Sequence, residues 1–377
     1  MKTIAFFNGF YLPHFGGVER YTYNIGQNLI SKGYRVIVIT SQHNSNLPLE
    51  ETIDGIKIYR LPIKNIWRER YPFLLKNQNY RNLIKKIEEE PIDHFVVNTR
   101  FYMTSLLGVE LAAKRGKKAI VIEHGSSYLT LGNPLLDKGL RQVERYLIKK
   151  IKLKTDLFYG VSKEAANWLI EFNIKGKGVL YNAVNQEDFK KYHQENSKGE
   201  KIIISYSGRL IPKIKGVEIL LSVFEQLTKE FNNLELVIAG SGSLQKTLKK
   251  KYKQKNIKFL GFVTHDKVME VNALSDIFVL MSRSEGFSTA MLEAGLLGNV
   301  IITTPTVGGA HDVVPDETYG YIIENDEQKL LTTLRTLLLN KIKINEIKKK
   351  VSRRILENFT WIQTTESFIK VFEEMED

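Results

Sequence analysis

The chain has 377 residues and no cysteine. Disulfides, thiolate nucleophiles and zinc-thiolate centres are therefore excluded. No apolar run reaches the roughly 18 residues that a membrane-spanning helix requires. The opening Met1-Lys-Thr-Ile-Ala-Phe-Phe-Asn8 carries too short an apolar stretch for a secretory signal and reads as a first strand, so a cytoplasmic location is expected. Short-period repeats and low-complexity tracts are also missing. What is present is ordinary for a globular protein, with 43% hydrophobic and 26% charged residues. The length accommodates two core-bearing domains at roughly 150 residues each. The net charge of +13 suits a phosphorylated small molecule, an anionic membrane surface or nucleic acid, although many lysines recur with Asn and Ile throughout.

Apolar strands alternate with helix-like segments over nearly the whole length, the pattern of parallel α/β sheets. In the first half the strands are expected at 4–7, 36–40, 56–61, 94–97, 119–122 and 157–161. Amphipathic stretches at 18–31, 74–90 and 104–115 lie between them. A polar stretch, 185–200, interrupts the pattern, which restarts at 201–206 and continues through 234–239, 257–261, 277–281 and 300–304. A last amphipathic helix is expected over 361–376 behind Thr360, a suitable cap.

The segment Ser284-Glu-Gly-Phe-Ser-Thr-Ala-Met-Leu-Glu-Ala-Gly295 carries the most chemistry. Gly286 suits a tight turn and Ser288-Thr289 suits a helix start, which puts Glu285 on a loop and Glu293 about two turns into the helix. A helix N-terminus between two carboxylates is a seat for phosphate, with hydroxyl acceptors on either side. The flanking strands place this junction at the carboxyl end of a βαβ unit, where α/β folds bind ligands. The arrangement describes a nucleotide-sugar site.

Further motifs occur in order: Gly16-Gly17-Val18-Glu19-Arg20, Glu123-His124-Gly125, Val161-Ser162, Asn182-Ala183-Val184, Ser207-Gly208-Arg209-Leu210, Gly240-Ser241-Gly242, the Glu-x7-Glu pair, and Gly308-Gly309 before Asp312. None is specific alone. Together they resemble the retaining glycosyltransferases of family 4, and the resemblance covers nearly the full length. It implies an α/β GT-B fold, two Rossmann-like doubly wound domains facing a cleft. Residues 1–185 would bind the acceptor, 186–358 the nucleotide-sugar donor, and 359–377 would form a helix crossing back to the first domain.

The resemblance implies roles residue by residue. His124 and Glu285 would serve catalysis at the donor sugar. Gly16, Gly17, Arg209, Lys215, Gly286, Phe287, Ser288, Thr289 and Glu293 would bind the donor. His14 and Asn182 would meet the acceptor, and His311 is a weaker candidate. An Arg fork and a Lys point charge suit a diphosphate. The chain departs from the family by one extra residue between Arg209 and Lys215-Gly216, so Lys213 competes for the lysine's role. It also carries Ser288 where glycine is common, Tyr181 before Asn182, Asn185 for Asp, and Asn299 for proline.

No Asp-x-Asp pair closes a strand, so the hard-cation site of another glycosyltransferase fold is missing. No cofactor is expected, the nucleotide-sugar acting as co-substrate, and UDP is the default nucleotide. The expected acceptor is a glycan or lipid-linked saccharide in polysaccharide or cell-envelope glycan synthesis. The stretch 141–154 interleaves Arg145, Lys149, Lys150, Lys152 and Lys154 with apolar residues, which suits peripheral contact with an anionic membrane. No nucleic-acid partner is expected. Two other readings share some of these features: an epimerase or phosphorylase of the same fold, and a non-catalytic basic scaffold on membrane or RNA. The scaffold leaves the ordered glycine, Arg and Glu motifs unexplained.

Overall fold

The computed structural model describes residues 1–14, 16–66, 71–130, 133–193, 201–212, 215–283 and 285–376. The chain divides into two compact units, Met1–Asn182 with Thr364–Asp377, and Ala183–Gln363. No helix among the described residues is long and apolar enough to cross a membrane.

Unit 1 contains β1 (Thr3–Phe7), β2 (Arg35–Ser41), β3 (Glu50–Ile53), β4 (Ile56–Leu61), β5 (Ile63–Ile66), β6 (Tyr71–Leu74), β7 (His94–Asn98), β8 (Ala119–Glu123), β9 (Phe158–Gly160) and β10 (Gly178–Val179). Its helices are α1 (Gly17–Ser31), α2 (Gln78–Glu89), α3 (Met103–Lys114), α4 (Pro134–Lys152) and α5 (Lys163–Trp168). The sheet order is β10-β9-β8-β7-β1-β2-β4-β3, parallel except for β3. Strands β1, β7 and β8 are buried at every position. That is why their middles read as apolar runs: helices cover both faces of a parallel sheet. The order reverses at β1, with β2 on one side and β7 on the other, which makes the ends of β1, β7 and β8 the switch point.

Unit 2 contains β11 (Ile202–Ser207), β12 (Leu234–Ala239), β13 (Ile257–Gly261), β14 (Ile277–Leu280), β15 (Val300–Thr303) and β16 (Gly320–Ile322). The helices in this part of the chain are α6 (Gln186–Tyr192), α7 (Val217–Leu227), α8 (Gln245–Lys251), α9 (His265–Leu274), α10 (Thr289–Leu296), α11 (Ala310–Val313), α12 (Glu327–Leu338) and α13 (Lys341–Asn358). All six strands are parallel in the order β13-β12-β11-β14-β15-β16, with the switch point between β11 and β14. Helix α14 (Trp361–Glu374) starts in unit 2 and enters unit 1 at Thr364.

Several expectations are corrected. The units divide at Ala183 and Thr364, not at 186 and 359. Val184 bridges to Thr360, and Trp361 N–H donates to the Val184 carbonyl at 3.1 Å, so both crossing segments are tied into unit 2. The helix expected over 74–90 starts at Gln78, behind Asn77, whose side chain accepts from Tyr80 N–H. The residues before it pair as the antiparallel hairpin β5-β6, where Pro72 sits opposite Asn65. A two-stranded edge tolerates that missing donor. The hairpin β3-β4 turns on Asp54-Gly55, both at positive φ, a two-residue signal that the hydrophobic pattern does not reveal. Part of the polar stretch forms α6, capped by Asn185, while residues 194–200 lie outside the described residues.

Candidate active site

In unit 2 the loops after β11, β14 and β15 gather at the switch point. Gly208, Gly240 and Gly242 all have positive φ. A Cβ on Gly240 would lie 1.9 Å from the Gly208 carbonyl oxygen, and one on Gly242 would lie 2.3 Å from that of Leu210. The Gly-Ser-Gly turn is thus a backbone-on-backbone contact that holds exposed Arg209 at the end of β11. Gly216, at φ 68°, caps α7, and any side chain there would strike the Met281 carbonyl.

That turn delivers Lys215, which is buried and whose ammonium contacts the Glu285 carboxylate. Burial, then the Arg209 charge, pushes Lys215 down to about 8, and contact with Glu285 acts in the opposite direction. The other Glu285 oxygen, Oε2, is buried with no hydrogen-bond partner among the described residues. The backbone of Glu285 is held by a bridge to Val307, and Gly308 N–H donates to its carbonyl at 3.2 Å. Gly308 and Gly309 permit this close approach: a Cβ on either would overlap Gly286 or the Phe287 ring.

Helix α10 begins at Thr289, and Ser288 is its cap, its Oγ accepting from Met291 N–H at 3.4 Å. The hydroxyl that stands where glycine is common therefore serves the helix start. The Phe287 ring is buried, 6.2 Å from that of Phe359. Glu293 lies just over one turn into α10, not two, because the helix starts at Thr289. It is buried, with His265 Nδ1 3.6 Å from its Oε1, and His265 Nε2 lies 3.3 Å from Asp188. Lys213 and Ser284 lie outside the described residues.

In unit 1, Gly16 caps α1 and donates its N–H to Glu19 Oε2 at 2.9 Å. The Gly16 amide is thus taken by the return arm of a capping box. The amides of Gly17 and Val18 fall in the first turn, where no intrahelical carbonyl reaches them. A Cβ on Gly17 would meet nothing within 4 Å. Burial pushes the Glu19 carboxyl above its ordinary value, and His14 Nδ1 stands 3.5 Å away. The His14 ring stacks on Phe10 at 4.9 Å. Asn182 is buried, its N–H on the Val161 carbonyl.

His124 follows β8. Its Nε2 is 2.7 Å from Asn98 Oδ1, and the Tyr21 ring stands edge-on at 4.9 Å. Burial pushes the imidazole down to about 3, so the ring is neutral. The loop after it is pinned from below. Arg100, fully buried, bridges Glu123 and Glu144 at 2.6 and 2.8 Å. Those carboxylates take the N–H groups of Gly125 and Leu129.

Comparison with known proteins agrees with this layout. Residues 187–354 match the family described as Glycosyl transferases group 1, and residues 15–188 match Glycosyltransferase Family 4. The chain belongs to the family 4 glycosyltransferases. It is 26% identical to an uncharacterized glycosyltransferase of Methanocaldococcus jannaschii, over 99% of this chain and 98% of that protein. It is 27% identical to the GPI3 subunit of phosphatidylinositol N-acetylglucosaminyltransferase from Saccharomyces cerevisiae, over 97% of this chain and 84% of that one. The solved structure of sucrose-phosphate synthase from Thermosynechococcus elongatus superposes with a TM-score of 0.75 at 16% identity, covering 100% of this chain and 99% of that chain. Anabaena HepE in complex with UDP and glucose superposes at 0.69 and 16% identity, covering 99% of each. The fold is GT-B, and the enzyme transfers a sugar to an acceptor.

Within this glycosyltransferase, unit 2 brings Arg209, Lys215, Glu285, Gly286, Phe287, Ser288, Thr289 and Glu293 to one switch point. Unit 1 brings Gly16, Gly17 and His124 to the other, with His14 on the loop after β1. His311 is exposed on α11. Sequence reasoning missed His265, Asn98 and Arg100. The spacing of isolated residues on different elements carries no sign that they converge.

Proposed function

We propose that this glycosyltransferase moves a hexosyl unit from a nucleotide-sugar, UDP-linked, to a glycan or lipid-linked saccharide, with retention of configuration. The observation that carries the reading is the cluster at the unit 2 switch point: two cations, a helix N-terminus and two carboxylates. Arg209, Lys215 and the amides at the start of α10 would neutralise the leaving diphosphate. Glu293 would accept from the ribose hydroxyls, since a carboxylate suits a vicinal diol. Glu285 would meet the donor sugar, and its Oε2, without a partner among the described residues, is an acceptor for a hydroxyl.

No enzymatic nucleophile enters this reading. The acceptor would attack on the face the phosphate leaves, through an oxocarbenium-like transition state, and the departing phosphate would take the acceptor proton. Preorganised positive charge is then the largest catalytic term, and no metal is called for. The UDP bound to HepE and the N-acetylglucosaminyl transfer named for the yeast relative support the donor class. Polysaccharide or cell-envelope glycan synthesis, on the cytoplasmic side of a membrane, is the proposed setting.

Calorimetry with UDP, GDP and dTDP in EDTA, on wild type and Glu293→Ala, tests this. Metal-independent binding of one nucleotide, weakened at least tenfold in the variant, is expected. Unchanged affinity in the variant would remove the ribose role, and no binding by any nucleotide would remove the donor site.

A further inference from the structure

His124 ends a buried polar chain whose proton directions can be counted. Thr22 has one hydroxyl proton, donated to the Val18 carbonyl at 3.0 Å. Its oxygen therefore only accepts, and two amides give to it: Asn8 Nδ2 at 2.8 Å and Asn98 Nδ2 at 3.1 Å. Asn98 Nδ2 also donates to Asn8 Oδ1 at 2.8 Å. The Asn98 amide nitrogen thus faces Asn8 and Thr22, and its oxygen faces His124 Nε2 at 2.7 Å. An amide oxygen is an acceptor only, so Nε2 carries the proton and Nδ1 the lone pair.

The reverse arrangement fails on the same count. Flipping both amides would put two carboxamide oxygens against Thr22 Oγ1, which has one proton to share between them. The Val18 carbonyl would lose the Thr22 hydroxyl as well. Asn8, Thr22 and Asn98 are fully buried, where an unmade hydrogen bond is costly. The Tyr21 ring, its hydroxyl held by the Leu180 carbonyl at 2.8 Å, stands edge-on to the imidazole and limits its rotation. Among the described residues, none hydrogen-bonds Nδ1.

We infer that Asn98, backed by Thr22 and Asn8, is a positioning residue that holds His124 as the Nε2–H tautomer and leaves Nδ1 to accept from a sugar hydroxyl. The hydroxyl rests on the glycosyl-transfer reading above; the tautomer does not. Burial acts with the network and keeps the ring neutral. At this position the enzyme then selects a sugar that presents a hydroxyl donor. It cannot use His124 to donate to a negatively charged leaving group.

The test is long-range proton–nitrogen correlation on histidine-labelled full-length protein at pH 5 to 8. One imidazole is expected with Nε2 protonated, Nδ1 unprotonated and no change across that range. A wild-type signal from Nδ1–H, or titration of the ring within the range, overturns the assignment whatever the variants do. Thr22→Val is expected to give mixed tautomers and a kcat lower by on the order of tenfold, the worth of one hydrogen bond. Nucleotide affinity should stay unchanged, and Thr22→Ser should restore both signals. A folded Thr22→Val protein with the wild-type spectrum also counts against the network. Absent nucleotide binding would instead remove the glycosyl-transfer reading and leave the tautomer standing.

Discussion

Lys215 is buried beside Arg209 and touches Glu285, so its charge is both costly and available. Below pH about 8 the ammonium is protonated and attracts a diphosphate; above it the charge is lost. Nucleotide affinity is therefore expected to fall as pH rises from 7 to 9.5, by on the order of tenfold. The Lys215→Arg variant should bind with a flat profile, because a guanidinium does not titrate there. Calorimetry at both pH values checks this, and parallel profiles for the two proteins would dissociate Lys215 from the phosphate. For folding the sign is opposite. Between about 8 and 10.5 the unfolded chain holds a proton that the native chain lacks, so this group's contribution to stability rises with pH. Glu285 and Glu293 were legible from their spacing, whereas the Lys215 contact was not: the partners are 70 positions apart.

Helix α4 has an inner and an outer side. Leu140, Glu144, Leu147, Ile148 and Ile151 are buried. Leu135, Tyr146 and Leu153, at the end of the helix, are 83%, 57% and 78% exposed, and at 100° per residue they share one outward line. Exposed Lys138, Arg145, Lys149 and Lys152 flank that line. Glu144, an acid that would oppose anionic lipid, is turned inward to Arg100. The peripheral membrane contact expected from the sequence would use this face, where apolar insertion and positive charge would act together. Flotation with vesicles rich in phosphatidylglycerol should recover the protein, and vesicles of phosphatidylcholine alone should not. Replacing Leu135, Tyr146 and Leu153 by Ser should abolish recovery without loss of helix content. Recovery unaffected by that change would place the contact elsewhere. Interleaved basic and apolar residues announced the helix, but which apolar residues face water depended on the packing of α4 against its own unit.

At the scale of the whole molecule, the last helix completes the core of a unit whose remaining residues end at Asn182. Phe368 is fully buried, 6.3 Å from the Phe6 ring and 6.2 Å from that of Tyr21. Phe372 stacks on His94 at 4.3 Å. The Phe368→Ala variant is expected to destabilise unit 1 by about 3–5 kcal/mol, the cost of an emptied aromatic site. A thermal scan should show an earlier transition, while nucleotide affinity, which the proposed donor site assigns to unit 2, is expected to hold. Loss of nucleotide binding in the folded variant would show that the two units do not act separately in this respect.

The ordered motifs implied the GT-B architecture by resemblance, and the sequence alone determined the strands at the centres of both sheets and the Glu-x7-Glu junction. Each of these is written in contiguous periodicity or in a short motif, because strands buried on both faces are largely apolar and helix starts need particular caps. Tertiary structure decided which residues meet. It set the Lys215–Glu285 pair, the Arg100 bridge and the Asn98 chain behind His124. Those contacts join elements brought together by strand order, and strand order leaves no periodic trace in the residues that it makes neighbours.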